Sequence, residues 1–123
     1  MTQYSLPHSE RLRSLGAIRR MFDNGQSGFV YPFRYVWYAE ADEVGSVEVL
    51  FSVPKKFHKR ANKRNLLRRR TKEAYRLRKQ ALHAAAANAN LDMALIYSTK
   101  EVLPYKTIEN ALRKIMEQIA ERM

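Results

Sequence analysis

Residues 47–76, VEVLFSVPKKFHKRANKRNLLRRRTKEAYR, change period partway along, and that change decides the fold. The first seven alternate. Val47, Val49, Phe51 and Val53 take one side, and Glu48, Leu50 and Ser52 take the other, as in a strand with one buried face. Pro54 closes the run, and a helix is predicted from about residue 59 to residue 86. On that helix Leu67, Thr71, Ala74, Leu77 or Arg78, and Ala81 form a narrow stripe of mostly small residues, suited to packing on a sheet. Asn65, Arg68, Arg69, Lys72, Arg76 and Lys79 fall on the opposite side.

Outward from this pair, the pattern repeats. Residues 8–24 read as a helix that Ser9 caps, with Leu12, Leu15, Ile18, Met21 and Phe22 at helical spacing. The turn signal DNGQSG (23–28) ends it. Residues 29–39, FVYPFRYVWYA, are aromatic and β-branched and predict one strand, with an edge position or bulge at Pro32. Unbroken alternation puts Phe29, Tyr31, Phe33, Tyr35 and Trp37 on the core side and Arg34, Val36 and Tyr38 on the other. A polar turn (40–46) joins it to the strand 47–53. Residues 91–98, LDMALIYS, give a third strand. Pro104 opens a last helix with Ile108, Ala111, Leu112, Ile115 and Ile119 on one stripe. The order α-β-β-α-β-α predicts an α/β (α+β) two-layer sandwich, one domain over residues 1–123.

Charge is distributed far less evenly. Of 23 Lys and Arg, thirteen fall in residues 55–79 against the single acid Glu73, a net of +12. Residues 1–54 carry five basic and six acidic side chains, and residues 80–123 carry five of each. Within 60–79 alone there are ten basic residues. A solvated helix ordinarily mixes signs to gain about 0.2–0.5 kcal/mol per i,i+4 pair. Here repulsion is left standing, and a polyanion would relieve it while releasing counterions. The arginine fork bonds phosphate oxygens in pairs, and residues a turn apart follow a backbone. The implied RNA-binding set is Lys55, Lys56, Lys59, Arg60, Lys63, Arg64, Asn65, Arg68, Arg69, Lys72 and Arg76.

Other chemistry is thinly represented. The absence of cysteine excludes disulfides and thiolate metal sites. His8, His58 and His83 lack ligand spacing, and Asp42 and Glu43 share a turn rather than a paired-carboxylate site. Neither a phosphate-cradling glycine loop nor a Ser-His-Asp or Cys-His set is present, so no catalytic or metal-binding residue is assigned. Apolar runs fall short of the roughly 18 residues of a membrane span. MTQYSLPHSERLRS (1–14) has no apolar signal region, so a cytoplasmic protein with no membrane role is expected.

The segment KRNLLRRRTKEAYR (63–76) resembles the signature helix of the bacterial ribonuclease P protein subunit. Arg64 and Asn65 match its opening, and Leu66 stands where the family usually has a second Arg. Leu67, Arg68 and Arg69 match the next three positions, and Lys72, Glu73, Ala74, Tyr75 and Arg76 match its end. FSVPKK (51–56), SLPHSERLRS (5–14) and MFDNGQS (21–27) are similar to the family's neighbouring segments, in the family's order. The resemblance implies a left-handed βαβ crossover, as in the ribosomal protein S5 domain 2-like fold. It implies a protein, monomeric when free, that binds a catalytic RNA and precursor tRNA and promotes removal of the 5′ leader. The chemistry is then the RNA's, with Mg2+, and no cofactor is bound by the protein. The leader is expected in a cleft lined by Phe22, Arg34, Val36, Tyr38, Leu50 and Ser52, between the first helix and the sheet. The alternative, a structural RNA-binding protein such as a ribosomal component, accounts for the charge but not for the motif order or the aromatic strand. A DNA-binding module would want a dimerising heptad beside the basic region, which is missing.

Overall fold

The computed structural model describes residues 15–123. The elements are α1 (Leu15–Asn24), β1 (Gln26–Val30), β2 (Phe33–Ala41), β3 (Ser46–Ser52), α2 (Ala61–Ala85), β4 (Ala89–Tyr97) and α3 (Tyr105–Arg122). Ser9, Leu12 and the start of the predicted first helix lie outside the described residues.

The strand expected over residues 29–39 is two strands. Proline lacks the N–H that a continuous ladder needs, and the chain reverses at Tyr31–Pro32, a cis peptide bond. β1 returns antiparallel to β2, with Val30 opposite Phe33 and Gln26 opposite Trp37. Part of the expected turn 23–28 therefore belongs to β1, and only Gly25 separates it from α1. A Cβ at Gly25 would collide with the Met21 carbonyl oxygen and stand 2.6 Å from that of Trp37, so glycine lets α1 end directly against β2.

The four strands run in the order β1-β2-β4-β3. β2 and β4 are antiparallel. β3 and β4 are parallel neighbours joined through α2, which is the βαβ crossover. α2 and α3 together cover one sheet face. Phe33, Leu67, Tyr75, Leu82, Leu95, Tyr97, Ile108, Leu112, Ile115 and Ile119 are almost fully buried there. Phe33 meets Tyr97 edge-on at 5.6 Å, and Phe51 meets Tyr75 at 5.7 Å. The Tyr35 ring lies over Gly28, where a Cβ would clash with it, and its hydroxyl donates to Gln118 Oε1 at 2.5 Å.

The buried stripe of α2 runs through Leu67, Thr71, Ala74, Tyr75 and Leu82. Leu77, Arg78 and Ala81, which spacing also puts on that stripe, are exposed instead. The helix is rotated toward Phe51 of β3, so Tyr75 takes the apolar place.

Candidate nucleic-acid interface

The basic side chains occupy α2 and the loop before it. Lys55, Lys56, Lys59, Arg60, Lys63, Asn65 and Arg69 are exposed, while Arg64, Arg68, Lys72 and Arg76 are half-buried. Arg60 caps α2 without a side-chain hydrogen bond, and no acid stands in the first turn, so the positive end of the helix dipole adds to the same charge. At 1.5 Å per residue the 25-residue helix is roughly 37 Å long.

Not every cation faces outward. Arg64 donates to the carbonyls of His58 at 3.1 Å and Lys59 at 2.8 Å, folding the loop back on the helix. His58 is buried, with Nε2 2.8 Å from the Thr99 carbonyl oxygen. Arg70 reaches the Leu103 carbonyl at 2.5 Å. Arg76 pairs with Glu73, and Arg78 with Glu109 at 3.4 Å. Arg68 donates weakly to Asn65 Oδ1 at 3.4 Å, and Lys72 lies 5.9 Å from the Phe51 ring centre. Arg64 therefore helps to build the surface, and the freely presented charge is carried by the loop lysines, Arg60, Lys63 and Arg69. Leu66, at the position of the family arginine, is half-buried.

The second feature is the sheet face away from α2 and α3. Strand register orders its side chains in rows. Phe29, Arg34, Ile96 and Ser52 form the first row. Ser27, Val36, Ala94 and Leu50 form the second. Tyr38, Asp92 and Glu48 follow, then Glu40, Asn90 and Ser46. α1 lies across the second row, with Ala17 and Met21 packed on Val36 and Ala94. Arg20 leaves one flank of α1 and approaches Glu40 at 3.8 Å. Helical spacing sends Ile18 and Phe22 to the opposite flank, toward the first row.

The two flanks differ in chemistry. On one, Arg20, Tyr38, Glu40, Glu48, Asn90 and Asp92 line a small polar cavity. Tyr38 donates to Glu40 at 2.7 Å, a bond that raises its own pKa, with burial adding to the effect. Burial likewise raises the Asp92 carboxyl, helped by the Glu48 charge and opposed by Arg20. Asn90 donates to Asp42 Oδ2 at 2.6 Å and accepts from the Ser46 hydroxyl. On the other flank the first row ends at Ser52, and Lys55 and Lys56, just beyond Val53 and Pro54 in the chain, are exposed.

The six predicted cleft residues are thus not one lining. Phe22, Arg34 and Ser52 look onto the first-row side. Leu50 sits half-buried at the edge of α1, Val36 is covered by α1 at 5% exposure, and Tyr38 belongs to the acidic flank. Phe29 and Ile96, outside the predicted set, share the first row with Arg34. The reversal at Pro32 moves Phe29 off the core face expected of it, and the Tyr-Pro pair between two apolar runs was the available signal. Among the described residues no three His, Asp or Glu converge as metal ligands, and no helix is long and apolar enough to cross a membrane.

Residues 6–120 match the family model of ribonuclease P. The chain is 33% identical over 120 residues, 95% of its length and 88% of the other's, to the ribonuclease P protein component of Porphyromonas gingivalis. It shares its fold with the RNase P protein from Thermotoga maritima, with a TM-score of 0.71 and 21% identity over 89% of this chain and 96% of that one. The RNase P protein from Staphylococcus aureus superposes with a TM-score of 0.70 and 20% identity over 95% and 93% of the two chains.

Proposed function

Because the chain belongs to the ribonuclease P protein family, and so to the apparatus of tRNA 5′ maturation, we propose that α2 and its preceding loop seat the protein on a catalytic RNA. The observation that carries this reading is the confinement of +12 to residues 55–79, on one helix and one loop, in a chain otherwise close to neutral. Exposed Lys55, Lys56, Lys59, Arg60, Lys63 and Arg69 neutralise phosphates, and the counterions they release supply affinity. Two polyanions, catalytic RNA and precursor tRNA, repel each other, and a cationic protein between them lowers that barrier. Hydrolysis of the phosphodiester belongs to the RNA with its Mg2+ ions. The protein's part is positioning: single-stranded RNA is held by aromatic faces beside positive charge, and Phe22 with Arg34 offers that pairing for the 5′ leader.

Reconstitution tests this reading. The protein is combined with its cognate candidate RNA at low Mg2+ and given precursor tRNA. Faster release of the leader than with RNA alone is the expected result. No gain at any Mg2+ concentration would remove the proposal.

A further inference from the structure

The hairpin at Tyr31–Pro32 sets Phe29 directly across from Arg34, so the two side chains project from the same, outer face of the sheet. Phe29 is 58% exposed, whereas Phe33, four residues on and on the core face, is completely buried. Single exposed apolar side chains are ordinary on protein surfaces, so exposure alone decides nothing. The surroundings do. Phe29 begins a row continued by Arg34, Ile96 and Ser52, one side chain from each strand. At about 4.8 Å between strands that row is roughly 14 Å long, enough for two or three nucleotides. Phe22 is 47% exposed, and helical spacing puts it on the flank of α1 opposite Arg20. Beyond α1 the face turns acidic with Glu40, Glu48 and Asp92, which repel phosphate.

We propose that Phe29 is a platform on which one unpaired nucleobase of the leader stacks, with Arg34 engaging the adjoining phosphate. This rests on the reading that the outer face takes the leader, and it names the half of the face that does so. An aromatic ring stacks on any base, so the platform selects single-stranded RNA rather than a sequence. The guanidinium opposite holds the backbone while the acidic flank keeps the strand from crossing under α1.

The test uses the holoenzyme reconstituted with its catalytic RNA. Substrates are mature tRNA, precursor tRNA, and precursors with one abasic nucleotide at successive leader positions. Phe29→Ala is expected to weaken precursor binding about fivefold to hundredfold and to leave mature tRNA unchanged. Its effect should vanish with the one or two abasic substrates that already lack the stacked base. Phe29→Trp should restore binding, and Phe29→Leu, apolar but without a ring face, should not. The Trp and Leu variants carry the comparison if the alanine variant folds poorly. An equal loss on mature tRNA, a loss that persists at every abasic position, or no loss would overturn the platform. A wild-type holoenzyme that does not prefer precursor to mature tRNA would instead remove the leader reading itself.

Discussion

Residues 55–79 and the outer sheet face are opposite in chemistry. The first gathers +12 on a helix and loop. The second balances Arg20 and Arg34 against Glu40, Glu48 and Asp92 and exposes Phe22 and Phe29. Charge acts out to a Debye length of about 8–10 Å and attracts any phosphate chain, and it weakens as salt rises. An aromatic face acts only on contact, needs an unpaired base, and is nearly indifferent to salt. On the proposed reading, a protein that stays on one RNA while sampling another gains by keeping these chemistries on different surfaces. The consequence is measurable: variants of the first region should change the slope of affinity against salt, and variants of the second should change substrate preference.

The largest effect is expected from Lys63→Ala combined with Arg69→Ala, both exposed. Affinity for the catalytic RNA should fall about tenfold or more, and the salt slope should shrink by about 0.7–0.9 for each phosphate that is no longer neutralised. Titrations across a range of KCl concentrations measure both. Arg78→Ala is the comparator, because Arg78 is already paired with Glu109, and it should leave the slope in place. If Arg78→Ala matches the double variant per charge removed, the charge acts as a diffuse field rather than through a defined surface. Arg64→Ala should behave differently again. It removes two bonds to the His58 and Lys59 carbonyls, so it should lower the unfolding midpoint as well as the affinity.

Phe22→Ala comes next. Loss of one stacking side chain should weaken precursor tRNA binding about fivefold or more, spare mature tRNA, and leave the salt slope unaltered. Equal losses on the two substrates would break the division between the regions, since the outer face would then hold RNA without regard to its unpaired end.

Much of this is legible in the order of residues alone. The strand 47–53, the basic helix and the last helix declare themselves by period, and the buried positions Val47, Val49, Leu67, Ala74, Ile108, Leu112 and Ile115 follow from it. Localised charge points to the interface. What escapes is decided by pairing rather than by local pattern. FVYPFRYVWYA alternates as one strand, and only the return of β1 along β2 shows that Phe29 and Phe33 occupy opposite faces. Val36 reads as an open cleft position until α1 is laid over it. The engagement of Arg64 and Arg70 with backbone carbonyls depends on loops whose course no periodicity encodes.

The smallest effect concerns the acidic flank. Asp92 has a raised pKa, chiefly because burial disfavours its charge and secondly because Glu48 is near. The native state therefore holds that proton more tightly than the unfolded chain does. Stability associated with Asp92 is fully present below about pH 4, the ordinary aspartate value, and is lost as pH rises through the raised native value. At neutral pH the ionised carboxylate subtracts from stability, so Asp92→Asn should stabilise the protein. Asp92 remains partly solvated, and after screening the gain should be about 0.3 kcal/mol, or about 1–2 °C in the unfolding midpoint. It should disappear in scans below about pH 4. Affinity for precursor tRNA should stay within about twofold of wild type, because this flank is assigned no phosphate to hold. A gain that is the same at pH 4 and pH 7 would mean that packing rather than charge sets the effect. A marked rise in precursor affinity would mean that the leader crosses under α1, and the two flanks would have to be treated as one groove.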